Sequence, residues 1–175
     1  MVIKSSLREK NIHLAGKAKK IKIVLTDNDG VLTDTGVFYS DQGEVMKRFS
    51  IRDGMGVERL RNLFEIETGI ITGELSASVK KRAEKLHIKE LHLGAKDKVS
   101  VLNNIIKKNN LSRDNIAFIG DDVNDIELMK LVGLTASPSD GMPDVRSIAD
   151  YVCEEKGGHG AFREFAELII ALRSE

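Results

Sequence analysis

The sequence predicts an α/β fold built on a doubly wound, mostly parallel open sheet, and two observations lead to it. Apolar, β-branched segments alternate along the chain with segments whose apolar residues recur at helical spacing. The first strand segment, within residues 21–26, runs directly into Asp27, Asp29 and Gly30. Such alternation produces right-handed βαβ units, which place parallel strands side by side and cover both faces of the sheet with helices.

The other elements follow from local patterns along the chain. Residues 34–50 hold two β-prone runs around a polar turn that contains Gly43, which predicts a β-hairpin insertion. Leucines at helical spacing predict a helix over 57–64. The remaining predicted elements are strand 67–72, helix 76–86, strand 88–93, helix 98–108, strand 116–119, helix 125–132, strands 134–136 and 151–153, and helix 161–172.

Length indicates a single domain over residues 1–175, without room for a separate substrate domain. Two parts of this domain are predicted outside the alternating elements and the hairpin: an N-terminal arm over 1–20, and a C-terminal tail and helix over 157–175 that begins with a glycine-rich stretch. The arm is basic and suits either a phosphate-binding arm or, preferably, a short solvated helix or tail.

Charge and cysteine content bear on partners and location. Lysine plus arginine number 27, and aspartate plus glutamate also number 27, so the net charge makes no case for nucleic acid or an anionic membrane as partner. There is no secretory signal and no apolar run of transmembrane length, and the single cysteine, Cys153, cannot form an internal disulfide. These features predict a cytoplasmic protein, and they leave room for a small anionic metabolite as ligand because local charge can differ from the total.

Four polar clusters follow predicted strands in order along the chain. They are the Asp27 and Asp29 pair, Thr72 with Gly73, Lys98 at the start of a helix, and the segment 120–125. In a parallel sheet the carboxyl ends of the strands share one edge, so residues far apart in sequence meet in one crevice there. The ordered arrival of all four clusters at this edge predicts a functional site.

The residue types at this edge suit phosphoryl transfer. Asp27 can attack phosphorus and form an aspartyl phosphate, while Asp29 can protonate the leaving oxygen and then deprotonate a water molecule. Lys98 and the Thr72 hydroxyl can bind the phosphoryl oxygens. Asp121 can complete a site for a hard divalent cation with oxygen ligands, most naturally Mg²⁺. Asp27, Asp29, Thr72 and Lys98 are therefore the predicted catalytic residues.

The same residues resemble the motifs of the haloacid dehalogenase superfamily. Residues 27–31 look like its first motif, Thr72 its second, Lys98 its third and 120–125 its fourth. The resemblance implies a Rossmann-like fold, Asp27 as nucleophile and Asp29 as acid and base. It also implies a Mg²⁺ site formed by Asp27, the backbone carbonyl of Asp29, and Asp121, with Asp122 counted among the metal-binding residues and Asp125 nearby. The second aspartate of the first motif favours phosphatase chemistry within that superfamily.

A narrower resemblance is to the capless 3-deoxy-D-manno-octulosonate 8-phosphate phosphatases. It implies a phosphoric monoester hydrolase without a cap domain, active in lipopolysaccharide biosynthesis. It further implies a homotetramer supported by the hairpin, in which the glycine-rich C-terminal segment reaches the active site of a neighbouring subunit. The implied substrate-binding residues are Arg52, Asp53, Gly73 and Arg163. The segments that carry the resemblance are 30–34, 43–44, 49–56 and 157–164.

Several alternatives remain at the level of the sequence. The substrate can instead be a nine-carbon, sialic-type acid 9-phosphate, or the chain can be a non-catalytic tetramerisation or regulatory module of the same fold. A response-regulator receiver also combines a doubly wound sheet with a phosphorylated aspartate and Mg²⁺, although its motif order differs. Arg163 has a second interpretation as a helix-surface residue paired with Glu164 or Glu167.

Overall fold

The structure, a computed structural model, describes residues 2–174 and the side chains of residues 6–174. The strands are β1 (Ile23–Thr26), β2 (Val37–Ser40), β3 (Gly43–Lys47), β4 (Glu67–Ile71), β5 (Glu90–His92), β6 (Ile116–Ile119), β7 (Leu134–Ser137) and β8 (Tyr151–Val152). The α-helices are α1 (Val2–Lys10), α2 (Ala15–Ala18), α3 (Ile51–Phe64), α4 (Ala77–Lys85), α5 (Lys98–Asn109), α6 (Ile126–Met129), α7 (Pro143–Ile148) and α8 (Ala161–Arg173).

Six strands form one sheet in the order β5-β4-β1-β6-β7-β8, and every neighbouring pair in it is parallel. From β1, the chain first adds strands on one side of the sheet and later returns to add β6, β7 and β8 on the other side. Strands β2 and β3 pair separately as an antiparallel hairpin. The predicted α/β fold with a parallel sheet and a hairpin insertion is confirmed.

The central strands β1 and β6 are buried on both faces, which explains why they read as nearly continuous apolar runs. Val24 of β1 points into the core formed with α3 and α8, whereas Ile23 and Leu25 point into the core formed with α5 and α6. Successive side chains of a strand point to opposite faces, so each face needs apolar residues. Among the described residues, no helix combines the length and apolar character needed to cross a membrane.

Helix α3 starts earlier than its leucine spacing predicts, at Ile51 instead of residue 57. Ser50 begins the helix because its hydroxyl accepts hydrogen bonds from the backbone N–H groups of Arg52 (3.1 Å) and Asp53 (3.4 Å). The first turn carries no apolar signal because Ile51 is exposed. Helix α7 is not among the elements that the sequence pattern predicts; it starts with Pro143, a residue well suited to the first position of a helix.

The C-terminal segment forms the predicted closing helix, and this helix is part of the core. Helix α8 buries most of its side chains against α3 and the sheet, including Phe162, Phe165 and Leu168. Helix α1 packs against α8, and Leu7 contacts the same core. The N-terminal segment therefore covers one side of the last helix.

Candidate active site

The site lies at the carboxyl end of β1, the strand from which the chain builds the sheet first on the β4 side and later on the β6 side. Asp27 directly follows β1, and its backbone N–H donates a hydrogen bond of 3.0 Å to the carbonyl oxygen of Ile119 at the end of β6. Asp121 follows β6 two residues later. The carboxyl ends of β1 and β6 thus bring the first and fourth motifs together, at the position where ligands bind in open parallel sheets.

Three carboxylates and one ammonium group form the centre of this site. Asp27, Asp121 and Asp125 each offer an oxygen atom, and these atoms lie within 4.8 Å of one another. The Nζ atom of Lys98 lies 3.0 Å from Oδ2 of Asp27 and 2.7 Å from Oδ1 of Asp125. Lys98, Asp27 and Asp125 are all buried. The cluster carries an excess of negative charge, because one lysine faces three carboxylates.

Burial and mutual repulsion shift the pKa values of the group. Burial, reinforced by Asp125, raises the pKa of Asp27 to about 7, although Lys98 opposes the shift. Burial also raises the pKa of Asp121 to about 8, with further increases from Asp27 and Asp125. Burial alone would lower the pKa of Lys98, but Asp27 and Asp125 raise it above its ordinary value. The positive charge near Asp27 and Asp121 is therefore too small to offset the burial of their carboxylates. The negative charge near Lys98, in contrast, more than offsets the burial of its ammonium group.

These residues fit a divalent cation that prefers oxygen ligands. Oδ1 of Asp121 is buried and has no hydrogen-bond partner among the described residues. Gly30, with φ +87°, leaves room for this carboxylate, because a Cβ atom at that position would lie 1.9 Å from Oδ2 of Asp121. An unpartnered buried oxygen beside two further carboxylates is the kind of environment in which Mg²⁺ is bound.

Asp122 and Asp125 differ in where their side chains point. Asp122 is exposed, and its Oδ1 accepts a hydrogen bond of 2.6 Å from the backbone N–H of Val123, so it caps the short helical turn that follows. Asp125 lies at the end of that turn and points inward, where its Oδ2 accepts a hydrogen bond of 3.0 Å from the backbone N–H of Asp121. The structure thus brings Asp125, and not Asp122, to the carboxylate group.

The side chain of Asp29 contacts a lysine from the hairpin that the sequence motifs did not indicate. Nζ of Lys47 lies 2.7 Å from each carboxylate oxygen of Asp29. Lys47 ends β3, and it is buried although the other residues of the hairpin strands are exposed or half-buried. A lysine within a β-prone run carries no local sign of such a contact, because its partner lies 18 residues away.

The remaining predicted catalytic residue, Thr72, is buried at the end of β4, the strand next to β1. Its Oγ1 accepts a hydrogen bond of 3.2 Å from the backbone N–H of Glu74, which shapes the turn after the strand. Gly73 is exposed, and space is open around the position where a Cβ atom would lie. Lys98, in contrast, is the first residue of α5, and Asp97 caps that end of the helix.

Asp53, predicted to bind substrate, is buried beneath the start of α8. Its Oδ1 accepts a hydrogen bond of 2.9 Å from the backbone N–H of Arg163, and burial raises the pKa of Asp53 to about 6. Arg163 pairs with Glu167, with Nε 2.9 Å from Oε1. Arg52 and Arg163 line a surface groove of about 690 Å³, which none of the three clustered carboxylates lines. Asp53 thus binds the backbone at the start of α8, while Arg52 and Arg163 line this groove.

The glycine-rich segment before α8 packs on the first motif of its own chain. The backbone N–H of Gly158 donates a hydrogen bond of 2.8 Å to the carbonyl oxygen of Val31. Gly157 approaches Gly30 so closely that a Cβ atom on Gly157 would lie 1.9 Å from the Gly30 carbonyl oxygen. Gly158 also has φ +66°, which glycine adopts without strain. This segment therefore braces the loop that follows Asp29.

The sequence is similar to known phosphatases over most of its length. The family described as haloacid dehalogenase-like hydrolase matches residues 10–164. The chain is 36% identical over 154 residues to the 3-deoxy-D-manno-octulosonate 8-phosphate phosphatase KdsC of Escherichia coli (strain K12). That alignment covers 88% of this chain and 81% of the relative.

Solved structures agree with this similarity. The 3-deoxy-D-manno-octulosonate 8-phosphate phosphatase of Moraxella catarrhalis, in complex with magnesium ion, phosphate ion and KDO, matches with a TM-score of 0.88 at 36% identity and covers 92% of both chains. The cobalt-bound deoxy-D-mannose-octulosonate 8-phosphate phosphatase of Haemophilus influenzae matches with a TM-score of 0.86 at 33% identity, covering 90% of this chain and 91% of that one. This chain belongs to the haloacid dehalogenase-like hydrolases and, within them, to the family of the 3-deoxy-D-manno-octulosonate 8-phosphate phosphatases.

Proposed function

We propose that this chain is a Mg²⁺-dependent phosphatase that hydrolyses 3-deoxy-D-manno-octulosonate 8-phosphate in the cytoplasm, as a step of lipopolysaccharide biosynthesis. The observation that carries the proposal is the group of Asp27, Asp121 and Asp125 around Lys98 at the ends of β1 and β6. It occurs in a chain that matches, over 92% of its length, a relative in complex with magnesium, phosphate and KDO. The balanced charge of the chain fits a small-molecule substrate.

Asp27 is the proposed nucleophile. A carboxylate oxygen of Asp27 forms a bond to phosphorus while the bond from phosphorus to the sugar oxygen breaks. Its Oδ1 accepts a hydrogen bond of 2.7 Å from the backbone N–H of Asn28, and its Oδ2 contacts Lys98, so the orientation of the carboxylate is set before substrate arrives. Lys98 lowers the repulsion between this carboxylate and the anionic phosphate.

Asp29 is the proposed acid and base. It gives a proton to the sugar oxygen as that oxygen leaves, and in the second half-reaction it takes a proton from the water that attacks the aspartyl phosphate on Asp27. Thr72, at the end of the adjacent strand, is proposed to donate a hydrogen bond to a phosphoryl oxygen. Gly73 leaves open space beside it for the substrate.

Asp27 and Asp121 are proposed to hold Mg²⁺ with the backbone carbonyl of Asp29, and Asp125 lies beside them and fixes Lys98. The bound cation would supply positive charge that offsets the carboxylates and the phosphate. In this proposal Asp122 serves as the cap of the turn that orients Asp125, because its own side chain faces solvent.

Mg²⁺ is expected to raise the Tm more at about pH 8 than at about pH 5.5. The pKa values of Asp27 and Asp121 are raised in the folded, metal-free protein to about 7 and about 8. As pH rises from the ordinary carboxyl pKa to these values, the unfolded chain has lost protons that the folded chain still holds, so the stability of the metal-free protein falls. Mg²⁺ counters that loss once the carboxylates are ionised.

Differential scanning calorimetry at both pH values, with and without Mg²⁺, measures this effect. The Asp121→Asn variant is the matched control, because it removes the carboxylate with the most strongly raised pKa and should reduce the Mg²⁺ shift at the higher pH. An equal Mg²⁺ shift at the two pH values would contradict the assignment of these carboxylates to the metal site.

The substrate is tested by phosphate release in the presence of Mg²⁺. The eight-carbon 3-deoxy-D-manno-octulosonate 8-phosphate is compared with a nine-carbon 2-keto-3-deoxy acid 9-phosphate. We expect kcat/KM to be about tenfold or more higher for the eight-carbon compound, since a pocket shaped for one chain length discriminates by about that factor. Preference for the nine-carbon compound would contradict the proposed substrate but support the proposed phosphatase reaction. Turnover of neither compound would favour a non-catalytic regulatory module.

The chain is further proposed to form a homotetramer with shared active sites, supported by the hairpin. Phe38, Tyr39, Val45 and Met46 are all more than half exposed on β2 and β3. Four large apolar side chains on one exposed hairpin are typical of a protein–protein contact. Phe38 and Met46 are also cross-strand partners, so they form one continuous apolar surface.

Replacing Phe38 and Met46 together by aspartate is expected to convert the tetramer to smaller species while leaving the fold of the subunit intact. The reason is that a charge placed in an apolar contact loses its hydration without gaining a partner. Size-exclusion chromatography with light scattering measures the mass. Leu63→Asp, which changes an exposed apolar residue outside the hairpin, is the control and should keep the wild-type mass. An unchanged mass of the double variant would locate the assembly contact elsewhere.

A further inference from the structure

Lys47 is the one buried side chain on the two strands of the hairpin. The other residues of β2 and β3 are exposed or half-buried, whereas the Lys47 side chain is only 1% exposed. Burying an ammonium group is costly unless it is paired and hydrogen-bonded. The inward position of Lys47 therefore requires ionic partners, and its contacts show which groups these are.

The ammonium group of Lys47 lies between two carboxylates. Nζ is 2.7 Å from both oxygens of Asp29 and 3.6 Å from Oε2 of Glu44 on the same strand. Glu44 in turn accepts a hydrogen bond from the hydroxyl of Ser76, the residue that caps α4. Lys47 thus contacts Asp29 from a position that is itself fixed by the hairpin and by the helix that follows the second motif.

The two oxygens of Asp29 are not equivalent. Oδ1 accepts hydrogen bonds from Lys47, from Oγ1 of Thr33 at 3.1 Å, and from Nδ2 of Asn28 at 3.0 Å. Oδ2 accepts from Lys47 alone among the described residues. A carboxylate oxygen has two lone pairs, so Oδ1 is saturated and Oδ2 keeps one lone pair for a proton. The orientation of Oδ2 is accordingly set by Lys47.

We propose that Lys47 is a positioning residue for proton transfer by Asp29, and that Oδ2 is the oxygen that carries the proton. The inference rests on the proposed role of Asp29 as acid and base. As the bond from phosphorus to the leaving oxygen breaks, its electron pair stays on that oxygen, and the proton passes to it from Oδ2. Lys47 holds the carboxylate by both oxygens, so Oδ2 faces one direction instead of rotating. Through this single side chain, the hairpin contacts the residue proposed to transfer the proton.

The test compares two aryl phosphates whose leaving groups differ in their need for a proton. Phenyl phosphate has a basic leaving group that needs an acid, whereas p-nitrophenyl phosphate has an acidic one that leaves readily without it. For Lys47→Met we expect kcat/KM to fall about 10²-fold with phenyl phosphate and only a few-fold with p-nitrophenyl phosphate. A purely structural lysine would lower both values by the same factor, and that result would overturn the proposal.

Two further variants keep the test decisive if Lys47→Met folds poorly. Lys47→Arg retains the charge but moves the donors, so it should show a smaller loss that again is larger for phenyl phosphate. In Asp29→Asn protein, adding Lys47→Met should change neither kcat/KM, because the group that Lys47 positions is already gone. Additive losses would overturn the proposal. Lys20→Met, which removes an exposed lysine paired with Asp114, is the control and should match wild type.

The aryl phosphates keep this inference separable from the proposed substrate. Failure to hydrolyse 3-deoxy-D-manno-octulosonate 8-phosphate would remove the proposed function while the comparison of the two aryl leaving groups still reported on Lys47. Conversely, equal losses with both aryl phosphates would remove the role of Lys47 while leaving the proposed substrate in place.

Discussion

The Asp27→Asn variant is expected to lose at least about 10⁴-fold in kcat, because the amide cannot act as the nucleophile that Asp27 provides. The substitution keeps the shape of the side chain in a site where Oδ1 meets the backbone N–H of Asn28 and Oδ2 meets Lys98. Lys98 retains Asp125 as an ionic partner, so the charge remains compensated. Turnover is measured by phosphate release at saturating Mg²⁺.

The fold of this variant should remain intact, which separates chemistry from stability. Asp27 is destabilising when ionised in the metal-free protein, since burial and Asp125 raise its pKa to about 7. A neutral amide therefore should give a Tm at about pH 8 that is no lower than that of the metal-free wild type. Circular dichroism confirms folding in parallel. Turnover close to the wild-type rate would show that Asp27 is not the nucleophile.

Deletion of residues 157–175 is expected to unfold the protein. It removes α8, whose buried side chains pack against α3 and the sheet, and it also removes the glycine segment that braces the loop after Asp29. Loss of a single buried phenylalanine costs about 3–5 kcal/mol, and the whole domain is stable by only about 5–15 kcal/mol. Circular dichroism and urea titration of the purified fragment measure the outcome.

Point variants on the two sides of α8 provide the matched comparison. Phe165→Ala, on the buried side, should lower the free energy of unfolding by about 3–5 kcal/mol. Arg163→Ala, which removes a partly exposed pair with Glu167, should change it by about 1 kcal/mol or less. A truncated protein that unfolds cooperatively at the wild-type urea concentration would mean that α8 contributes little to the core, contrary to its burial.

The architecture could be predicted because the central strands of the parallel sheet are buried on both faces. Residues such as Val24 and Leu25 enter opposite cores, so the strand must be apolar throughout, and the sequence shows it directly. The same rule placed Asp27 and Asp121 at one edge, because each comes directly after or close behind such a strand. Boundaries were less predictable: α3 begins with the exposed Ile51, which contributes nothing to the periodicity.

Only the three-dimensional arrangement distinguishes residues that share a local pattern. Asp122 and Asp125 lie within one acidic segment, yet the short turn between them directs one carboxylate to solvent and the other to Lys98. Asp53 and Arg163 have residue types suited to binding an acidic sugar, but tertiary packing uses the Asp53 carboxylate to bond the backbone at the start of α8. A lone charged residue carries no sign of which of these roles it will take.

Hydrophobic burial and strand geometry act on every residue of a segment, so they leave a repeating pattern in the sequence that predicts the sheet and its active edge. Contacts between single charged groups leave no such pattern. Lys47 meets Asp29 across 18 positions, and Lys98 meets Asp125 across 27, because the path of the chain brings them together and desolvation then makes the pairing necessary. The fold and the position of the site follow from sequence periodicity, whereas the partners of each charge follow from packing.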